Sequence, residues 1–227
     1  MDVKEVVKEL NFLSNPTKKN LEGMARFGIR PRTKMLCISM PNLRKLAKKI
    51  GKDHDLAIKL WDLKIHDARI LAGLIDEPDK VTEDQMEKWV NDFDSWDICD
   101  SVCGNLFDKT KFAYKKIGQW AKREEEYVKR TPFTLLAWLS VHDKKAKDEK
   151  FIKYFPIIKK AAIDDRNFVK KAVNWAIRQI GKRNKHLNKK AVKLSNEIKR
   201  INSKAARWIA SNALLELTDK KIVKRIK

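Results

Sequence analysis

Residues 94–100 read DSWDICD and, behind a possible capping residue, place the carboxylates of Asp97 and Asp100 close to the indole of Trp96. A short side-chain oxygen on Asp94 or Ser95 can cap the first turn of a helix that begins there. The apolar residues that follow recur at helical spacing, and Asp97 and Asp100 fall off that apolar stripe. Acidic residues favour the first turn of a helix because they meet the positive end of its dipole. The other interpretation is that Asp100 does chemistry as a carboxylate beside a buried face.

A second candidate surface lies on a helix predicted over residues 165–180. Its apolar residues form a buried stripe, and Trp175 lies roughly 130° from that stripe on a helical wheel. Lys171, Arg178 and Lys182 are in line with Trp175 at spacings of three or four residues. Trp175 either packs on a neighbouring helix while the cations are solvated, or it meets a base or sugar while the cations bind phosphates.

The charge balance points to a polyanionic partner. The chain carries 52 Lys and Arg against 30 Asp and Glu, a formal net charge of +22. Nucleic acid or an anionic membrane surface would suit such an excess. Basic clusters in residues 182–185 and 220–225 look like phosphate contacts, although charge runs are usually solvated faces. No apolar run of about 18 residues occurs, so no membrane-spanning segment is predicted.

Cysteine and histidine usage argues against disulfides and metals. Cys37, Cys99 and Cys103 are odd in number and include no Cys-x-x-Cys pair, so a disulfide framework is not expected. The histidines are scattered without the spacing of metal ligands, and no glycine-rich phosphate loop occurs. We therefore predict no metal site and no cofactor. The N-terminal residues lack the apolar core of a signal peptide, and a reducing cytoplasm fits best.

The periodic signal is helical nearly throughout, with only 7 Gly and 6 Pro in 227 residues. It predicts about twelve or thirteen short helices in a single helical-repeat domain over residues 1–227. Residues 171–175 resemble residues 204–208, and a repeat of that period is typical of an α-solenoid. In a solenoid each helix pair buries its apolar face against its neighbours, which curves the stack. The predicted fold is therefore all-α, an α-solenoid with a basic concave face.

Several local features are predicted within this pattern. Residues 82–85 read as a capping box, and Pro132 either starts or kinks a helix. A single helix is expected over about residues 148–162. Four tryptophans fit apolar stripes and are predicted to lie in the core: Trp61, Trp89, Trp120 and Trp138.

Short motifs, in the same order along the chain, resemble the AlkD-like DNA glycosylases. They are Trp96-Asp97-x-x-Asp100, then Arg130 after a basic helix start, then Lys171-Ala172-x-x-Trp175-x-x-Arg178, with N-terminal repeat segments beginning at Pro41 and Asp67. The resemblance covers most of the chain, from about Gly28 to Lys182. Pro132 departs from the family pattern, in which helix would continue. The resemblance implies a fold of HEAT-like helical repeats and removal of cationic N3- and N7-alkylated purines from DNA.

The resemblance also implies roles for individual residues. Asp100 matches the catalytic aspartate, Trp96 and Trp175 match two groove tryptophans, and Arg130 matches the active-site arginine. A cationic alkylpurine leaves as a neutral base, so the barrier is dominated by positive charge growing on the deoxyribose. A fixed carboxylate stabilises that charge and can position or deprotonate the attacking water. Arg130 would hold a flanking phosphate and keep Asp100 ionised. The lesion would stay in or near the base stack.

The implied partner is double-stranded DNA containing alkylated purines, with no membrane partner, and we expect a monomer. Lys171, Arg178 and Lys182 join Trp96, Trp175 and Arg130 as predicted DNA-binding residues. Two other classes of protein stay open. One is a non-catalytic nucleic-acid-binding repeat protein on the same scaffold, and the other is a solenoid whose basic face binds acidic peptides.

Overall fold

The computed structural model describes residues 1–226, and its regular secondary structure in that range is helical. The α-helices are, in chain order, α1 (Val3–Leu13), α2 (Lys18–Arg26), α3 (Met40–Ile50), α4 (His54–Asp62), α5 (His66–Ile75), α6 (Glu83–Asn91), α7 (Trp96–Asn105), α8 (Ala113–Trp120), α9 (Glu126–His142), α10 (Glu149–Ile152), α11 (Phe155–Ala161), α12 (Asn167–Gly181), α13 (Lys185–Lys199), α14 (Lys204–Leu217) and α15 (Lys220–Arg225). A short 3₁₀ turn covers Phe107–Lys109. One isolated parallel bridge joins Lys34 to Ile65. The all-α prediction is confirmed.

Helix boundaries follow the capping residues in several places. The Ser39 hydroxyl accepts from the backbone N–H of Asn42 at the start of α3. Gly51 ends α3 with a φ of 84°, a left-handed conformation that glycine adopts without steric cost. The Thr82 hydroxyl accepts from the backbone N–H of Gln85 before α6. The predicted capping box there is only half formed, because the Gln85 side chain donates instead to Asp76 Oδ2 at 2.6 Å.

The chain divides into two compact units, Met1–Lys111 and a second unit that begins at Phe112. Within the first unit, α5 packs on both α3 and α7. His66 contacts Asp97, and Gly73 approaches Val102 so closely that an added Cβ would lie 3.1 Å from its Cγ2. These pairs rise together in residue number along α5 and α7, so the two helices run parallel.

The core of the first unit contains an aromatic cluster. The Trp61 and Trp89 rings stack with their centroids 4.0 Å apart and 3° between their planes. Phe93 and Phe107 pack around them in tilted contacts. Both tryptophans are buried, as predicted, and such pairs add to the free energy gained by burying apolar surface.

The second unit is organised around the parallel helices α9, α12 and α14. Tyr127 on α9 stacks near Phe168 on α12, and further along the same two helices Trp138 meets Trp175 edge-on at 5.4 Å between centroids. The Asn174 side chain donates to the carbonyl of Ile209 on α14 at 3.0 Å. Parallel neighbours separated by connecting antiparallel helices are the arrangement of a helical repeat.

Two local predictions for this unit are wrong, and a third is settled in part. Pro132 lies inside α9, so no helix starts there, and the alternative of a kink at Pro132 stays a prediction. The helix predicted over about residues 148–162 is two helices, α10 and α11, with Pro156 in the first turn of α11. Trp120 is buried as predicted, but Trp138 is only half-buried, and it contacts Trp175, which is half-buried as well.

No helix within residues 1–226 is long and apolar enough to cross a membrane. Cys37, Cys99 and Cys103 form no disulfide. Cys99 and Cys103 are buried on α7 and behave as small apolar side chains. The described residues form two compact units, and the prediction of a single domain over residues 1–227 stays a prediction.

Candidate functional site

The start of α7 is fixed by carboxylates that do not cap it. Ser95 occupies the N-cap position, but its hydroxyl donates to Asp97 Oδ1 at 2.6 Å instead of accepting from the helix. Asp94 Oδ2 accepts from the backbone N–H of Arg32 at 2.8 Å and of Thr33 at 3.3 Å. The prediction that Asp94 or Ser95 caps the helix is therefore wrong. Asp94 is used instead to hold a loop that is distant in sequence.

Asp97 belongs to an ion pair with His66. His66 Nε2 lies 2.9 Å from Asp97 Oδ2, and His66 is almost completely buried. Burial opposes the charged form of Asp97, but its hydrogen bonds to His66 and Ser95 and the His66 charge hold its pKa below the usual value. Burial alone would lower the pKa of His66. The hydrogen bond to Asp97 and the negative charges of Asp97, Asp67 and Asp94 outweigh burial and raise the pKa of His66 above its usual value. Asp97 thus has a structural partner.

Trp96 and Asp100 are one helical turn apart on α7, so their side chains lie on the same face. Both are half-buried. Trp96 Nε1 donates to the carbonyl of Phe27 at 3.0 Å, which fixes the indole. Beneath this face, burial, with added effects from Cys99, Asp100 and Asp108, raises the pKa of Cys103 well above its usual value. Cys103 therefore stays a neutral thiol and is no candidate nucleophile.

The loop that receives Trp96 is held by a second carboxylate. Asp67, at the start of α5, accepts from the backbone N–H of Leu36 at 2.7 Å and of Ile38 at 2.8 Å. The backbone N–H of His66 donates to the carbonyl of Lys34 at 2.8 Å. Sequence reasoning missed these anchors because the partners are about 30 residues apart. The only local signal was the buried position of an acidic residue within an apolar helix.

In the second unit Arg130 lies on α9 and is only 4% exposed. Its Nη1 donates to the carbonyl of Phe168 at 2.6 Å. Because α9 continues through Pro132, Arg130 keeps a regular helical position two residues before the proline. Pro132 has no N–H to donate to the carbonyl four residues earlier, which is the known cost of a proline inside a helix.

The cations in line with Trp175 differ in their surroundings. Lys171 is exposed. Arg178 Nη1 and Lys182 Nζ both pair with the carboxylate of Glu216 on α14, at 2.8 Å and 2.6 Å. Trp175 is half-buried against Trp138, so it packs on a neighbouring helix and still presents part of its ring.

Arg183, in the basic cluster predicted to contact phosphate, has an internal role. Its guanidinium donates to four backbone carbonyls that follow the end of α9 or belong to its last turn. These carbonyls lack partners within the helix, and a cation near a helix C-terminus is favoured by the dipole. The prediction of a phosphate contact at residues 182–185 is therefore wrong for Arg183.

The chain was compared with known protein families to identify the class that has these helical repeats and this carboxylate–indole face on α7. Residues 6–216 match the family model for DNA alkylation repair enzyme, and the chain belongs to this family. The expected resemblance to repeat-fold DNA glycosylases is confirmed at this level. A comparison with curated protein sequences gives no significant match.

One solved structure supports the same fold. It is described as "a new family of proteins related to the HEAT-like repeat DNA glycosylases with affinity for branched DNA structures", has a TM-score of 0.77 with 20% identity and covers 93% of each chain. A designed armadillo repeat protein in complex with the peptide (KR)4 has a TM-score of 0.45 at 12% identity, covering 94% of this chain and 92% of its own. The fold is an all-α solenoid of HEAT-like repeats.

Proposed function

We propose that the protein is a DNA glycosylase that excises cationic N3- and N7-alkylated purines from duplex DNA. The observation that carries the proposal is the pairing of Trp96 with Asp100 on one half-exposed face of α7. The two other carboxylates of the segment, Asp94 and Asp97, are bound to the Arg32–Thr33 backbone and to His66. Asp100 is the acid of this segment that shares the half-exposed face with Trp96.

The chemistry needs one fixed negative charge and one water. The alkylated purine already carries positive charge, so it leaves as a neutral base without a general acid. Positive charge then grows on the deoxyribose, and the Asp100 carboxylate stabilises it more in the transition state than in the ground state. Asp100 also orients the water that attacks the anomeric carbon and accepts its proton. The products are the free base and an abasic sugar.

The remaining site residues bind DNA. Trp96 and Trp175 present partly exposed indoles, which attract a cationic lesion or its sugar by cation–π contact of about 1–2 kcal/mol when desolvated. Lys171 offers an exposed ammonium to a phosphate. Arg178 and Lys182 already share Glu216, and Arg130 is nearly buried. We assign these three to the positive potential that attracts the phosphate backbone.

The test is excision of 7-methylguanine from a duplex that carries one such lesion. Abasic sites are cleaved with alkali, and strand scission is followed for wild type and Asp100→Asn. We expect the wild type to cleave and Asp100→Asn to lose at least about 100-fold in rate, because the amide carries no charge. Both proteins should bind the duplex equally.

Asp84→Asn is the matched control, because Asp84 is an exposed acid on α6 of the same unit. It should cleave at the wild-type rate. Full activity of Asp100→Asn would exclude Asp100 as the catalytic carboxylate.

A second candidate function is non-catalytic binding of DNA. It is favoured by the structural relative with a TM-score of 0.77, which is described as having affinity for branched DNA structures. Tight duplex binding without cleavage by wild type or Asp100→Asn would support this candidate and leave Asp100 as a structural acid.

A further inference from the structure

Three tryptophans lie on the three parallel helices of the second unit: Trp138 on α9, Trp175 on α12 and Trp208 on α14. Trp138 and Trp175 touch edge-on at 5.4 Å. The next contact is made beside the rings, where the side chain of Asn174 donates to the carbonyl of Ile209 at 3.0 Å. Asn174 directly precedes Trp175 and Ile209 directly follows Trp208, so the two indoles lie on neighbouring parts of α12 and α14.

All seven tryptophans lie among the described residues. Trp208 is the most accessible of them, with 41% of its surface exposed. Burying a large apolar side chain is normally favourable, so an exposed indole costs free energy that a partner could recover. Lys170 Nζ on α12 lies 5.2 Å from the centre of its ring, within cation–π range. The indole is thus held beside a cation and keeps exposed surface.

The surroundings of Trp208 are cationic. Helix α12 contains no Asp or Glu, and α14 contains none before Glu216. Lys204 and Arg207 are exposed, one turn and one residue before Trp208. Arg207 Nη1 donates to Asn202 Oδ1 at 3.3 Å, an uncharged partner that leaves its positive charge in place. An aromatic ring flanked by three cations suits a nucleic-acid strand, with the ring on a base and the cations on phosphates.

We propose that Trp208, with Lys170, Lys204 and Arg207, is a second DNA-binding surface that takes an unpaired strand. A duplex hides the faces of its bases in the stack, and an indole can stack only on a base whose face is free. The surface rests on the proposed function only in that its partner is DNA. Its residues belong to the second unit, whereas α7 belongs to the first, and strand binding requires no excision.

The experiment compares two labelled DNAs by fluorescence anisotropy: a blunt duplex, and the same duplex with a single-stranded tail. We expect the wild type to bind the tailed DNA more tightly. Trp208→Ala should weaken binding to the tailed DNA by about 5- to 100-fold, as expected for loss of one base–aromatic stack. Binding to the blunt duplex and excision of 7-methylguanine from it should not change.

Leu215→Ala is the matched control, since Leu215 is an apolar residue of the same helix that is 75% exposed and has no ring to stack. It should bind both DNAs like the wild type. Trp208→Phe, which keeps a ring, should retain most of the affinity and guards against misfolding of the alanine variant. Equal affinity of wild type for both DNAs, or equal losses in Trp208→Ala and Leu215→Ala, would overturn the proposal. Asp100→Asn should keep its preference for the tail, so failure of the excision test and failure of this one are distinguishable.

Discussion

Asp97 and Asp100 are three residues apart on α7 and lie in different surroundings. Asp97 accepts from Ser95 and pairs with the buried ring of His66. Asp100 lies one turn beyond Trp96 on the half-exposed face. The dipole argument for acids in a first turn applies to Asp97, and the catalytic role of Asp100 stays a proposal.

The ion pair between Asp97 and His66 makes stability depend on pH. The lowered pKa of Asp97 gives a contribution that is present above its unfolded pKa and lost as pH falls through the folded value. The raised pKa of His66 gives a contribution present below its unfolded pKa and lost as pH rises through the folded value. Both contributions are present together from about pH 4 to about pH 6.5.

Asp97→Asn should therefore destabilise the protein most near pH 5.5, by about 3 kcal/mol, because it leaves a buried imidazolium without its partner. Near pH 8.5 the loss should be smaller, since a neutral His66 can keep a hydrogen bond but not an ionic attraction. Urea unfolding at the two pH values measures both losses. A loss that is equal at the two values would contradict the charged state of His66. Asp84→Asn removes an exposed first-turn acid and should lose at most about 1 kcal/mol, equally at both values.

At the scale of the helix, the packing of α12 against its neighbours allows a sharp test. A Cβ added at Gly181 would lie 2.7 Å and 2.8 Å from the methyl carbons of Leu217 and 3.0 Å from Cβ of Ala191. Leu217 and Ala191 are fully buried and have little room to move. Gly181→Ala should lower the free energy of unfolding by about 1–3 kcal/mol through overpacking.

The control is Gly118→Ala on α8, where an added Cβ meets nothing within 4 Å. There alanine should be neutral or stabilise by up to about 1 kcal/mol, because it restricts the unfolded chain and favours helix. Thermal or urea unfolding of the two variants checks both signs. Destabilisation of the same size in both would mean that packing at α13 and α14 does not explain the effect.

Sequence reasoning predicted the elements better than their connections. The ends of α3 and α4 are within reach of sequence reasoning, because Ser39, Gly51 and Asp53 act on residues only a few positions away. It failed where a side chain has a distant partner. Asp94 binds the backbone of a loop 62 residues earlier, and Arg183 caps a helix about 40 residues earlier. Nothing in a local window distinguishes such residues from a helix cap or a phosphate contact.

For the candidate site, residue types could be chosen from the sequence, but their environments could not. Helical spacing put Trp175 off the apolar stripe of its helix, and it is half-exposed. The same reasoning put Trp138 in the core. The apolar stripe of its own helix does not reveal that its neighbour on the next helix is Trp175, which is itself half-exposed. The Glu216 carboxylate that pairs with Arg178 and Lys182 comes from another repeat and left no signal near them.

At the scale of the whole molecule, the net charge of +22 predicts how DNA binding responds to salt. Each phosphate that meets a Lys or Arg releases condensed counterions, so log K should fall linearly with log salt concentration. With about 6–10 such contacts, duplex affinity should drop about 10³- to 10⁵-fold between about 50 and 200 mM salt. Anisotropy titrations over this range measure the slope, and a flat response would instead favour the solenoid that binds acidic peptides.

Glu216 should reduce the contribution of Arg178 and Lys182 to that salt dependence. Its carboxylate holds Arg178 and Lys182 together, so the chain carries its own counterion at this point of α12 and α14. A phosphate that approaches these two cations must replace an anion that remains tethered nearby. Binding there is an exchange between two anions, and it releases few ions to the solvent compared with binding at an exposed side chain such as Lys171. A phosphate that leaves this point therefore does not leave two unpaired charges behind.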